Sequence, residues 1–199
     1  MKLSPMQMHL GEWIRLTLFG TSHGPRVGAT LEGVPAGIEI DYQAIEKAMA
    51  ARRPGGRYAS KRKEPDVVEF RSGITDGKTT GEIIEISIAN KDAKSRDYSF
   101  LPAHPRPGHQ DMVMHKRTEG EADLRGGGSS SARLTAALVA SAALLSPLLD
   151  KLGVVCEAHV GAIGEVQAKK MEHCPPRWEN EACQEMRCRD PSAALAMVE

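Results

Sequence analysis

The pattern of apolar and polar positions predicts a strand-rich first part and a helix-rich remainder. Residues 14–19 (IRLTLF) and 27–33 (VGATLEG) read as short strands, with residues 20–24 as the turn between them. Asp41 followed by YQAIEKAMAARR predicts a helix with Asp41 at its N-cap and Pro54 stopping it. Residues 66–71 (DVVEFR) and 82–88 (EIIEISI) alternate apolar and polar side chains, as two half-buried strands do, and Gly73, Gly77 and Gly81 mark their connection. Residues 91–128 show little periodicity around a patch of three prolines (Pro102, Pro105, Pro107), and a loop of that length is either functional or disordered. Beyond Ser130 the chain turns to ARLTAALVASAALL, apolar almost all round. Such a helix wants burial on every side and is expected to run through the centre of the molecule. Residues 154–166 read as a strand pair or one long strand, and 190–199 as a last helix.

Composition narrows the possible functions. The 199 residues carry 26 basic and 26 acidic side chains, and a zero balance argues against a general nucleic-acid binder. With three Phe, two Trp and three Tyr, no aromatic platform for single strands is expected. The longest uncharged run, from Leu134 to Leu149, is sixteen residues and contains Pro147, short of the roughly 20 needed to span a bilayer. Glu12 and Arg15 interrupt any secretory pattern near the start, so the expected compartment is the cytoplasm, with no membrane partner. Cys156, Cys174, Cys183 and Cys188 do not have the spacing of a paired zinc site, even with His173 added. Reduced thiols and no metal are expected.

Four segments carry candidate chemistry. His23 sits between Ser22 and Gly24 in the turn after a strand, where backbone can meet a ligand. Residues 52–63 hold six basic side chains and no acidic one around Pro54-Gly55-Gly56, a composition that grips phosphate or carboxylate. In Arg106-Pro107-Gly108-His109-Gln110-Asp111, Asp111 is near enough to influence His109. Arg125-Gly126-Gly127-Gly128-Ser129-Ser130-Ser131-Ala132-Arg133 leads into the apolar helix, and hydroxyls with open N–H groups at a helix start suit a phosphate. Blander readings stand beside each: a turn histidine, a solvated basic run, a structural loop, a capped linker. Gly73-Ile74-Thr75-Asp76-Gly77-Lys78-Thr79 is one residue short of a P-loop and lies between strands, so it reads as a hairpin. The residues by themselves point to an enzyme that handles a phosphorylated, acidic small molecule.

In these motifs the chain resembles the chorismate synthase family. The matching stretches are Gly20 to Gly24, Arg52 to Asp66, the Ser72 to Gly81 hairpin, Arg106 to His109 and Arg125 to Arg133, in the family's order. The resemblance implies an α+β fold, a sandwich of antiparallel sheets packed on central apolar helices, assembled as a homotetramer. It also implies a lyase of the shikimate pathway, expelling phosphate from 5-enolpyruvylshikimate 3-phosphate to give chorismate with reduced FMN (FMNH2). His23 would protonate the departing phosphate, and His109 would protonate or stabilise the flavin. Arg52 and Arg57 would bind anionic cofactor groups, including NADPH in members that reduce their own flavin. Ser129, Ser130 and Ser131 fall on the flavin-binding segment, and Arg53, Arg125 and Arg133 would bind substrate. Ser129 and Ala51 stand where the family often has Arg, and Gln110 where it usually has Ala. The family's chain is longer, so residues 1–199 are expected to form one truncated domain with weak or no turnover, its apolar helix partly uncovered as an aggregation or partner site. The alternatives are a non-catalytic flavin- or anion-binding or assembly module and, through residues 52–63, nucleic-acid binding.

Overall fold

The computed structural model describes residues 8–53, 64–92 and 95–199. Where the sequence reading treats the chain as one domain, its contacts gather into two compact units, the described residues up to Leu152 and those from Gly153 to Glu199.

The first unit contains strands β1 (Met8–Leu10), β2 (Arg15–Gly20) and β3 (Arg26–Glu32), then helix α1 (Tyr42–Arg52). After α1 come β4 (Val68–Ser72), the short β5 (Ile74–Thr75) and β6 (Lys78–Thr79), and β7 (Ile84–Ala89). Helices α2 (Asp111–Arg117) and α3 (Thr135–Lys151) complete it. The main sheet runs β1-β2-β3-β7-β4, and every neighbouring pair is antiparallel. Its register places Leu31 opposite both Leu16 and Ile84, and Ala29 opposite Leu18 and Ile86. Val27 and Val68 both stand opposite Ile88. Alternate residues of four strands therefore form one apolar face, which α3 covers along β3 and β7 while also packing on α1. Asp41 caps α1 as expected, accepting from the Ala44 N–H at 2.9 Å. The glycine-marked connection is the β5–β6 hairpin, so the near-P-loop is a hairpin in fact.

Three expectations change. The apolar helix is buried along one face only: Ala136, Ala137, Ala140, Ser141 and Leu144 are sealed, whereas Ala142 is exposed and Leu138, Val139 and Leu145 are half-buried. Within this unit the sheet and α1 approach α3 from one side. The continuous helical stretch Ala132–Lys151 has the length and mean hydropathy (1.6) of a bilayer span. Its sealed alanines instead mark it as a core helix lying on a sheet. The aperiodic stretch before it contains α2, which the sequence does not announce.

In the second unit residues 154–161 form no strand, and the expected strand pair is the short hairpin of β8 (Ala162–Ile163) with β9 (Val166–Gln167). Helix α4 (Glu181–Met186) is capped by Asn180, and α5 (Pro191–Val198) by Asp190. Cys183 and Cys188 are fully buried with Ala182, Met186, Ala193 and Ala194 in a small core. Asp190 accepts from the N–H groups of Lys169 (3.0 Å), Ser192 (3.1 Å) and Ala193 (3.2 Å). The Lys169 and Ala193 bonds lead in holding its carboxyl below the usual carboxylate range, against the opposing effect of burial. A depressed folded value means this stabilisation is present above about pH 4 and fades as pH falls through the folded value. Asp190→Ala should therefore cost about 0.5–2 kcal/mol at neutral pH, with the difference from wild type shrinking under acid. Amide exchange at Ser192 and Ala193 measures it; equal protection in both proteins at neutral pH refutes it.

Candidate functional site

Five successive backbone carbonyls organise the site. The Arg106 guanidinium donates through Nη2 to the oxygens of Leu124 (3.0 Å) and Gly126 (2.7 Å), and the Gln110 amide donates to that of Gly127 (2.7 Å). From the other side the Ser22 hydroxyl contacts the Arg125 oxygen at 3.3 Å, and the Ser22 N–H donates to that of Gly128 at 3.1 Å. The ribbon 124–128 thus fastens the His23 turn and the His109 loop to the same stretch of backbone. It can do so because it is glycine-rich. A Cβ at Gly126 would stand 2.7 Å from His23 Cε1, and one at Gly128 would stand 2.5 Å from the Asp123 carbonyl oxygen. Both glycines have positive φ, +60° and +54°.

His23 is half-buried. Its Nδ1 lies 3.1 Å from the Ser22 hydroxyl, and its ring stands edge-on to Tyr98 with centroids 4.8 Å apart. The turn is anchored by Asn90, whose side-chain amide donates to the carbonyls of Thr21 (3.0 Å) and Gly24 (2.8 Å). Thr21 donates to Asp123 at 3.2 Å, and Arg125 forks onto the same carboxylate through Nε (2.8 Å) and Nη2 (2.9 Å). Burial pushes the Asp123 carboxyl up, but the bonds from Arg125 and Thr21 outweigh it and hold it below the ordinary range.

In the second loop, His109 Nδ1 lies 2.6 Å from Asp111 Oδ1. Asp111 is fully buried and also accepts three bonds from Arg106, one from its backbone and two from its guanidinium. Those bonds hold its carboxyl far below the usual range in spite of burial. Arg106 lies over the Tyr98 ring, 5.3 Å from its centroid, so Tyr98 touches both the Arg106 side chain and the His23 ring.

The predicted arginines divide. Arg133 is buried, donating to Asp66, to Asn90 Oδ1 (2.8 Å) and to the Ala89 carbonyl (3.2 Å). Arg52, at the end of α1, pairs with the same Asp66. Asp66 and Asn90 therefore connect Arg52 to Arg133, and Arg133 to the His23 turn. Arg53 points elsewhere, to Glu46 on α1 at 3.0 Å. Arg57 lies outside the described residues, as does most of the basic run. Ser129 and Ser130 form a 3-10 turn (Gly128–Ser130), and their hydroxyls have no partner among the described residues. Ser131 caps the next such turn (Ala132–Leu134), accepting from the Arg133 N–H at 3.2 Å. A small cleft lies against this turn, lined by Thr21, Gln110, Asp123 and Ser129 among others. Sequence reasoning singled out neither Tyr98, Asn90 nor Asp66. Asp66 alone stands in a motif, as the last residue of the Arg52 to Asp66 stretch.

Two imidazoles, paired arginines and open hydroxyls on one glycine ribbon make a site suited to moving protons beside an anionic ligand. A model of the family described as chorismate synthase matches residues 14–199. The chain is 43% identical over 189 residues to chorismate synthase of Aeropyrum pernix, covering 94% of this chain and 50% of that relative. It is 43% identical to that of Porphyromonas gingivalis (94% and 51% covered) and 45% identical to that of Helicobacter pylori (82% and 45%). A solved structure titled as a crystal structure of chorismate synthase superposes with a TM-score of 0.66 at 26% identity, over 94% of this chain and 52% of that one. The chain belongs to the chorismate synthase family and spans about half the length of these relatives.

Two substitutions test the architecture. Asp66→Asn removes the carboxylate that Arg52 and Arg133 share, leaving Arg133 only Glu64 at 3.8 Å, and should cost about 3–5 kcal/mol, read from the urea midpoint; an unchanged midpoint contradicts the buried network. Gly126→Ala should push the His23 ring off the Tyr98 edge. The check is the ring-current shift on the His23 side-chain protons, which should move toward the value seen in Tyr98→Ala.

Proposed function

We propose that the chain acts as a carbon–oxygen lyase on 5-enolpyruvylshikimate 3-phosphate, forming chorismate by 1,4-anti elimination in aromatic amino acid biosynthesis. The C3–O bond to phosphate breaks, the C6 proton is lost, and no net oxidation occurs. Reduced FMN, when bound, supplies transient electron density to this otherwise redox-neutral reaction. The observation that supports the reading is the fastening of two histidine loops to one glycine ribbon in a member of this family.

On this reading His23, its ring set by Ser22 and Tyr98, delivers a proton to the departing phosphate. His109, held at Nδ1 by Asp111, protonates or stabilises the reduced flavin. Both tasks suit a side chain with an ordinary pKa near 6.5. The hydroxyls of Ser129 and Ser130, unpartnered among the described residues, with Ser131, fit the polar groups of a flavin mononucleotide. Arg52 and Arg57 take anionic cofactor groups, including those of NADPH when the flavin is reduced in place. Of the arginines assigned to substrate, Arg125 is the most open; it can offer a carboxylate the donors it now gives to Asp123. Arg53 is the next most exposed, and Arg133 acts from the buried network. The same reading carries a homotetramer in the cytoplasm.

The test is anaerobic calorimetry with reduced FMN and the phosphorylated substrate, followed by detection of chorismate. Both ligands are expected to bind and chorismate to form only slowly, with His23→Ala lowering that rate by about 10²–10⁴-fold while flavin binding is kept. Binding of both without product would favour the non-catalytic module, and binding of neither would end the lyase reading.

A further inference from the structure

We infer that Asp111 is a positioning residue that locks His109 as the Nδ1–H tautomer, leaving Nε2 as the atom that gives and takes a proton. The chemical use of that atom rests on the function proposed above; the tautomer itself does not.

The argument begins with hydrogen-bonding capacity. Asp111 Oδ2 receives the Arg106 backbone N–H at 2.9 Å and its Nε at 2.7 Å. Its Oδ1 receives Nη2 at 2.6 Å and His109 Nδ1 at 2.6 Å. A buried carboxylate so surrounded by donors of one arginine stays ionised, and an ionised carboxylate has no proton to give. The short contact to His109 therefore requires the hydrogen to be on Nδ1. A neutral imidazole has only one such hydrogen, so Nε2 holds a lone pair. The His109 side chain is one-third exposed, and Nε2 has no partner among the described residues.

His23 is set differently. Its Nδ1 faces the neutral Ser22 hydroxyl, whose one hydrogen is shared with the Arg125 carbonyl, so that contact fixes the tautomer less firmly than a carboxylate does. The carboxylate contact at His109 allows one. The Arg106 fork also restrains rotation, because Arg106 is itself tied to the Leu124 and Gly126 carbonyls. A carboxylate that orients an imidazole through Nδ1 is a recurrent device for fixing which ring nitrogen works.

Long-range proton–nitrogen correlation spectra of the nitrogen-15-labelled full chain, recorded above the imidazole titration, read the tautomer directly. His109 is assigned by its loss in His109→Gln. The wild type should show Nδ1 protonated and Nε2 with the shift of an unprotonated ring nitrogen. Asp111→Ala should move His109 toward the Nε2–H form that free imidazole side chains prefer, while Arg106→Lys, which keeps the carboxylate, should retain the wild-type pattern. A wild-type His109 in the Nε2–H form overturns the inference, as does a pattern unchanged in a folded Asp111→Ala. If that variant does not fold, the wild-type spectrum alone decides, either way. None of these readings requires flavin or substrate, so a failure here is distinct from a failure of the lyase assignment.

Discussion

The structure around the two histidines depends on backbone meeting backbone without intervening side chains. The oxygens of residues 124–128 are each held by a donor from one of two loops, one about 100 residues earlier in the chain and one about 20 earlier. A buried carbonyl left without its donor costs about 1–3 kcal/mol; the Arg125 and Gly127 oxygens also accept from the Gly128 and Ser130 N–H groups, so the Leu124, Gly126 and Gly128 oxygens depend most on the two loops. Each glycine admits a different neighbour: the His23 ring at Gly126, the Ser131 backbone at Gly127, the Asp123 carbonyl at Gly128. No residue with a Cβ satisfies all three approaches. The triple glycine is thus a demand of geometry before it is a demand of ligand binding.

Charge follows the same economy. Arg106 is matched by Asp111 and Arg125 by Asp123. Arg52 and Arg133 share Asp66, with Glu64 at 3.8 Å from Arg133 and accepting from the Lys91 and Asp92 N–H groups. The cations close to the histidines are therefore already compensated. An incoming anion must exchange partners with one of them, and the exposed Arg125 can do so at far lower cost than the sealed Arg133. The remaining attraction comes from open hydroxyls, N–H groups and the protonation of imidazole, which makes recognition of the anion sensitive to the state of the two rings.

How far this was legible in the sequence depends on the range of the interactions involved. Asp41 before YQAIEKAM declares its helix because an N-cap acts over three residues, and IRLTLF and EIIEISI declare strands through local alternation. The glycine-serine segment was visible for the same reason. Helix α2 was not, since Met112 and Val113 are exposed apolar residues that blur any amphipathic pattern. Its start is set by the Arg106 fork onto Asp111, a contact made in three dimensions. Asn90 and Asp66 gave no sign of their importance as binders of Arg133, 43 and 67 residues away. Burial of α3 on every side, expected from its composition, fails for another reason, while the partly uncovered helix that the resemblance implies is what the structure shows. Uniformly apolar sequence reports what a helix tolerates, not how many sides are covered.

The two histidines are held differently, and the difference lies in their Nδ1 partners. The elimination proposed above, which would break a bond to phosphate beside a bound cofactor, would need two proton-handling groups that do not behave alike. A serine hydroxyl is neutral, and its one hydrogen also serves the Arg125 carbonyl, so Ser22 holds the His23 ring less firmly than a carboxylate would. A carboxylate forked by arginine cannot reverse its hydrogen bond, so His109 keeps one orientation, and its charge state changes only at Nε2. Tyr98, in contact with the His23 ring and the Arg106 side chain, packs the adaptable group against the support of the rigid one. Displacing either loop from the glycine ribbon therefore disturbs the other, which is why these two segments, distant in sequence, have to be treated as one structural element.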